Sequence, residues 1–186
     1  MRCLAAALLA ALAGAAAGQN TNDPQASSGG KSNWEREQEE RDFREREISL
    51  PAPPRPETLI EFFPSAAASF RFFVDSASLS VGEDGVVRYT LVARSARGVD
   101  NVSYEGMRCK SGTYRVYAYA SAGAWSRIDS DWKQIEPKSV QRWHNELRSR
   151  YFCPLRLTIL SAAEGVDALR RGGHPLARGI DGRERF

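Results

Sequence analysis

The side chains that most often carry catalysis are scarce in this sequence. Its 186 residues include two histidines, His144 and His174, and three cysteines. A serine or cysteine hydrolase needs a nucleophile beside a positioned base, and no Gly-x-Ser-x-Gly elbow occurs. His144 is expected beside Trp143 on a helix, and His174 in a glycine-rich tail. We therefore expect no enzymatic activity, no metal and no cofactor.

Two groups of acids deserve the same test. Glu83 and Asp84 lie between glycines in a predicted turn, and Asp129 and Asp131 lie in a polar loop. Paired carboxylates run acid–base chemistry only when their surroundings separate their pKa values, and acids in turns are usually solvated. Asp129 and Asp131 also lack the remaining ligands of a calcium loop. The acids therefore predict turns and loops, with no acid–base or calcium site.

Basic and aromatic side chains form the most suggestive pattern. If alternate residues of the predicted strands point outward, one sheet face collects Arg88, Arg94, Arg115, Tyr117 and Tyr119. Arg71 is a further candidate for this face. Such a face suits an anionic polymer or an envelope protein, so these residues are the candidate ligand site. In the alternative interpretation, both tyrosines pack beneath a helix that carries Trp143 and Leu147.

The elements that position these residues are mostly strands. Extended, β-branched or aromatic runs occupy 70–81, 86–95, 101–109 and 113–121, with turn residues between them. Residues 122–124 turn the chain toward a segment with Trp125, residues 132–135 predict a short edge strand, and the apolar run 155–160 predicts a last strand. Short connections favour an antiparallel meander.

The pattern then changes to a helical one. Val140, Trp143, Leu147 and Tyr151 recur at helical spacing, and Pro154 ends the segment. A second, short helix is predicted from the capping box Ser161–Glu164 to Gly172. The expected fold class is α+β, an antiparallel sheet with one main helix on a face.

The N-terminus predicts export. Residues 1–18 combine Arg2, an apolar run and small residues, which is typical of a signal peptide cleaved near Ala17 or Gly18. A membrane anchor or a buried helix is the alternative. Cleavage removes Cys3 and leaves Cys109 and Cys153, which predicts a disulfide in an oxidising compartment. Two buried free thiols are the alternative.

The chain divides by composition into four parts. After the signal peptide, residues 19–56 are expected to form a flexible charged lead that ends in the stiff, proline-rich spacer PAPPRP. Residues 34–48 of that lead hold seven acids and four bases, without a hydrophobic face. The folded domain is expected over 57–175, and 176–186 is a polar tail.

Several strings resemble a known family. The sequence is similar to the CNP-type (cryptic neisserial protein) family in four places. These are Phe72-Phe73-Val74-Asp75, the segment Asp84 to Val92, the segment Asn101 to Cys109, and Tyr151-Phe152-Cys153. The resemblance covers roughly residues 57–175. It implies an exported envelope protein and brings no established activity, so no catalytic residue is carried over.

A looser resemblance links the chain to the surface-adhesin protein E fold. The shared parts are Tyr104 to Cys109, the Tyr114-Arg115-Val116-Tyr117 strand, Trp132, and Trp143 to Cys153. This resemblance implies a sheet and a helix joined by a disulfide. It does not carry the adhesin's binding activity, since one fold hosts many functions.

These observations favour a non-enzymatic binding module of the cell envelope. Alternatives are a structural or assembly factor that acts through residues 19–56, and an unrecognised enzyme. The partner is unknown; an envelope protein or an anionic polymer fits the basic face. We do not expect nucleic acid as a partner, because the chain is expected to be exported, to the periplasm or to the cell surface.

Overall fold

The structure is a computed structural model that describes residues 32–64, 68–136 and 142–177. The predicted signal peptide, residue Val140 and most of the polar tail lie outside the described residues.

The sheet is an antiparallel meander of seven strands. Its strands are β1 (Leu59–Phe62), β2 (Arg71–Val81), β3 (Val86–Arg94), β4 (Asp100–Arg108), β5 (Thr113–Ser121), β6 (Ala124–Arg127) and β7 (Lys133–Gln134). The first six follow one another in space as they do in sequence, and β7 pairs with the start of β5. The strands predicted between residues 70 and 121 and the edge strand at 132–135 are confirmed, as is the α+β class.

Helices cover one face of this sheet. Helix α2 (Arg142–Glu146) continues as a π-helical turn, Leu147–Phe152, and α3 (Ala162–Arg170) follows. Leu147, Tyr151 and Phe152 are buried against the sheet with Ile159 and Leu169. The predicted capping box opens α3, since the Ser161 hydroxyl accepts a hydrogen bond from the Glu164 amide.

The prediction of a last strand at 155–160 is wrong. Pro154–Arg156 forms a 3₁₀ turn, and Leu155 and Arg156 have φ values of 54° and 66°. Such left-handed backbone cannot continue an extended ladder. The apolar run reads as a strand by composition, but only Ile159 of its residues is buried.

The predicted disulfide is present. Cys109 follows β4 and Cys153 follows the π-helical turn, with their Cα atoms 5.3 Å apart. The bond therefore ties the helical layer to the sheet. Closing a loop of this length contributes about 4 kcal/mol in the chain-entropy model.

Part of the charged lead packs against the domain. Its helix α1 (Asn33–Asp42) begins at Ser32 with a capping box. Residues 43–51 then run in extended conformation across the sheet face opposite the helices. We call residues 43–51 the strap, and the sheet surface beneath them the strap face.

Candidate functional site

The strap is held mainly through side chains. Ile48 and Leu50 pack on a small apolar cluster of Tyr104, Tyr117 and Ala118. The indole N–H of Trp125 donates to the carbonyl of Pro51 at 2.8 Å. Residues 43–51 form no strand of the sheet. The strap is thus a cover of the sheet rather than an eighth strand.

A single carboxylate lies at the centre of the strap face. Glu45 accepts hydrogen bonds from the guanidinium of Arg115, at 2.9 Å, and from the hydroxyl of Tyr117. The Arg88 guanidinium lies 3.7 Å from the same carboxylate. Charge-assisted bonds of this kind are stronger than neutral ones. The basic side chains therefore have an acidic partner within the chain itself.

Tyr117 lies between the two arginines. Its ring centre is 5.9 Å from the guanidinium carbon of Arg88 and 5.7 Å from that of Arg115. Burial raises the pKa of the Tyr117 hydroxyl, and its hydrogen bond to Glu45 raises that pKa further. The hydroxyl therefore stays protonated and acts as a donor to the carboxylate.

Gly106 makes room for that tyrosine. It lies on β4 opposite Arg115. A Cβ atom at this position would overlap the ring and hydroxyl of Tyr117. The absence of a side chain at Gly106 thus allows the tyrosine to lie flat over β4 and to reach Glu45.

A second set of contacts fixes the strap near the β2–β3 turn. Arg88 forms a two-pronged ion pair with Asp84, at 2.6 and 3.1 Å. The backbone amide of Arg46 donates to the same carboxylate at 2.9 Å, and its guanidinium pairs with Glu83. Burial alone would raise the pKa of Asp84. The hydrogen bonds that its carboxylate accepts from Arg88 and from the Arg46 amide outweigh burial, so the pKa of Asp84 is lowered.

The start of the strap is held by contacts of the Arg108 guanidinium with the rings of Phe43 and Trp132. The Arg108 guanidinium lies 3.5 Å from the centre of the Phe43 ring and 5.4 Å from Trp132. Phe43 and Trp132 also meet edge to face. Stacking of arginine on aromatic rings is favourable, more so where water is excluded.

The prediction of one shared face for the five candidate residues is wrong. Tyr119 lies on the helix side, because a β-bulge in β5 pairs Val116 with Glu105 but Ala118 with Tyr104. Tyr117 is the extra residue, so the alternation of side chains reverses after it. Arg94 does share the strap side but pairs with Asp100, at 2.6 Å, near the far end of β3.

The alternative interpretation of the tyrosines fails as well. Tyr117 packs with Tyr104 on the strap side, away from Trp143 and Leu147. Tyr119 is half exposed. Arg88, Arg115 and Tyr117 remain together, but Arg88 and Tyr117 are buried rather than offered to solvent. Whether these residues bind a ligand stays a prediction.

His144 lies on α2 beside Trp143, as the sequence predicts. It is buried, and its Nε2 lies 2.8 Å from the Glu105 carboxylate, while its ring stacks on Tyr114. Glu105 also accepts from the hydroxyls of Ser103, at 2.6 Å, and Tyr89, at 3.1 Å. The sequence does not mark Glu105 as a buried residue, because Asn101 and Ser103 on the same side of β4 are polar as well.

The buried pair is electrostatically coupled. Burial raises the pKa of Glu105, but the His144 charge and the hydrogen bonds from His144, Ser103 and Tyr89 outweigh burial, so that pKa is lowered. The carboxylate is enclosed and already bonded on both oxygens. This arrangement stabilises the packing of α2 on the sheet and offers no access for a substrate.

The part of the chain that the structure describes has neither a cluster of metal ligands nor a membrane-spanning helix. Within 32–64, 68–136 and 142–177, no three His, Cys, Asp or Glu side chains converge as metal ligands do. No helix in that part of the chain has the length and apolar character needed to cross a bilayer.

The chain matches a known protein family. Residues 38–170 match the model of the CNP1-like family. The chain belongs to the CNP1-like family. The matched range includes the strap and both cysteines of the disulfide, but neither residues 1–18 nor the first half of α1. No curated protein and no solved structure matches the chain significantly.

Proposed function

We propose that this CNP1-like protein is an exported, non-enzymatic binding module of the cell envelope. Its ligand in this proposal is an extended acidic protein segment, which binds the strap face in place of the strap. Export is supported by the signal-peptide pattern of residues 1–18 and by the Cys109–Cys153 disulfide.

The observation that carries this proposal is the insertion of Glu45 between Arg88, Arg115 and Tyr117. A carboxylate on an extended segment already occupies the face, so the face is built to take that chemistry. Because the strap is held mainly by side chains, a partner that offers the same groups can replace it without breaking the sheet.

The chemistry of the remaining polar groups supports a non-enzymatic role. His144 is paired with buried Glu105, and His174 is paired with Glu164 at 2.8 Å. Leu176 donates its amide to the other ring nitrogen of His174, which fixes the ring in place. Cys109 and Cys153 are joined to each other. These groups are engaged in holding the fold.

The test uses a fluorescent peptide with the sequence of residues 41–52 and the full mature chain. The variant Glu45→Gln loosens the internal strap, so the peptide should bind this variant more tightly than it binds wild type. Glu47→Gln is the matched control, because Glu47 lies two residues away, is exposed and carries the same charge.

A second variant identifies the receptor side of the contact. Adding Arg115→Gln to Glu45→Gln should strongly weaken peptide binding, because the peptide carboxylate then loses the guanidinium that lies 2.9 Å from Glu45 in the strap. If the peptide fails to bind Glu45→Gln while that variant keeps the wild-type fold, the strap is a fixed part of the domain and the proposal is wrong.

A second candidate function is an assembly factor that acts through its lead. The supporting observation is Trp34, which is 65% exposed on α1. An exposed tryptophan on a charged helix suits a protein contact. Deleting residues 19–42 removes this helix and keeps the strap, so it should abolish capture of an envelope partner only if the lead is the contact. A deletion to residue 56 would also remove the strap and would not separate the two functions.

A further inference from the structure

The segment after the disulfide exposes an unusual set of leucines. We call residues 154–160 the leucine turn. Leu155, Leu157 and Leu160 are 54, 66 and 90% exposed, and Leu176, on a 3₁₀ turn that packs against this segment, is 57% exposed. Single exposed apolar side chains are ordinary, but several together mark an interaction surface.

The backbone holds these leucines outward. Leu155 and Arg156 are consecutive residues with positive φ, a conformation that costs energy for side chains other than glycine. The Arg156 amide donates to the carbonyl of Cys153, and the Leu157 amide to that of Pro154, both at 2.9 Å. Buried Ile159 anchors the end of the turn. The strained backbone of Leu155 and Arg156 is thus held by hydrogen bonds and by buried Ile159. Backbone strain of this kind is concentrated at functional sites, which indicates a functional role for the exposed leucines.

The stretch of sequence that contains the turn carries positive charge only. Residues 147–163 contain three arginines and no acid. Arg156 stands between two exposed leucines, and Arg148 is near enough that burial and the charge of Arg156 together lower its pKa. The turn therefore combines apolar tips with positive charge.

The neighbouring acids are already engaged. Glu164 accepts from the amide of Leu160 and pairs with His174, and Asp167 pairs with Arg171. The β2–β3 turn is also close, because the Thr158 hydroxyl donates to the carbonyl of Gly85. Both acids of that turn are paired, Asp84 with Arg88 and Glu83 with Arg46. None of these contacts involves Arg156.

We propose that the leucine turn binds the surface of an anionic phospholipid bilayer. The leucines enter the boundary between headgroups and acyl chains, and Arg156 and Arg148 lie at the level of the lipid phosphates. Charge complementarity favours this occupant over a second copy of the chain, since a symmetric contact would bring Arg156 against Arg156. A few leucines and two arginines give reversible, salt-sensitive binding.

The test is co-sedimentation of the full mature chain with vesicles of phosphatidylglycerol or of phosphatidylcholine. Wild type should bind phosphatidylglycerol vesicles and be released by salt. Leu157→Ser/Leu160→Ser should bind on the order of tenfold more weakly, because two apolar side chains no longer leave water. Arg156→Ala should lose the preference for the anionic lipid. Val99→Ser and Arg97→Ala are the matched controls, since both residues are exposed in the β3–β4 turn at the opposite end of the sheet.

Thermal unfolding should be unchanged in all four variants, because the side chains concerned are exposed. Three outcomes would overturn the proposal: equal binding to both lipids, no binding by wild type, or undiminished binding by Leu157→Ser/Leu160→Ser. Light scattering measures the oligomeric state and so tests whether the turn binds a second copy of the chain. If wild type is a dimer and the double leucine variant is a monomer, the turn is a contact between copies instead.

Discussion

The two faces of the sheet are covered in different ways. The helix side is closed by a disulfide, a continuous apolar core and a buried glutamate–histidine pair. The strap side is closed by a short extended segment held by one central carboxylate, a few apolar contacts and a stacked arginine. Opening the helix side means unfolding the domain. Opening the strap side breaks contacts that an acidic partner can replace.

The largest expected effect is loss of the covalent link on the helix side. Cys109→Ala/Cys153→Ala should lower the free energy of unfolding by about 4 kcal/mol, because the unfolded chain regains the freedom of the closed loop. Chemical denaturation measures this change. A loss comparable with that of a surface substitution would show that the disulfide is dispensable.

The buried pair comes next. Glu105→Gln should destabilise the domain by about 3 kcal/mol, because His144 then faces an amide in place of its carboxylate partner. Glu61→Gln is the control, since Glu61 pairs with Arg71 on the surface, where such pairs contribute little. Equal melting temperatures for the two variants would contradict the role assigned to Glu105.

The same pair predicts a pH dependence. The pKa of Glu105 is lowered in the folded protein from 4.5. Its ionised form therefore stabilises the fold at higher pH, and that contribution is lost as the pH falls below 4.5. Melting temperatures of wild type should decrease in that range more steeply than those of Glu105→Gln. Parallel curves would show that Glu105 does not carry the acid sensitivity.

On the strap side, Gly106→Ala tests whether Tyr117 needs the space above Gly106. The added methyl group overlaps the tyrosine ring and should cost about 1–3 kcal/mol. Combined with Glu45→Gln, it should also weaken binding of the 41–52 peptide, because Tyr117 donates to the peptide carboxylate as it does to Glu45. Reduced stability without any change in peptide binding would separate Tyr117 from the strap.

The smallest stability effect is expected for the strap carboxylate itself. Glu45→Gln should cost about 1–2 kcal/mol, because its charged hydrogen bonds become neutral ones while its shape is kept. Glu47→Gln should leave stability unchanged. Denaturant titration of the two variants side by side measures the difference, and equal stabilities would show that Glu45 does not hold the strap.

The sequence predicts the helix side better than the strap side. Alternating strands, the helical spacing of Leu147 and Tyr151 and the pairing of the two cysteines are local or compositional signals, and all three are found in the structure. The leucine turn was misread as a strand because composition does not reveal the positive φ values after Pro154.

The strap could not be predicted in the same way. Residues 43–51 have no strand or helix period, and their contacts with Asp84, Arg115 and Trp125 span long stretches of sequence. A one-residue bulge at Tyr117 then decides which later residues of β5 face the strap. The basic face was visible as a set of residue types, but its cover was not.

The most direct test of the contrast between the two faces is hydrogen exchange measured at individual backbone amides. The amide of Arg46, bonded to Asp84, reports opening of the strap, and that of Ile159, bonded to the Phe152 carbonyl, reports opening of the helix side. We predict that the Arg46 amide exchanges much faster than that of Ile159, and that Glu45→Gln accelerates exchange at Arg46 alone. Equal exchange at both sites, or equal acceleration of both, would contradict the account.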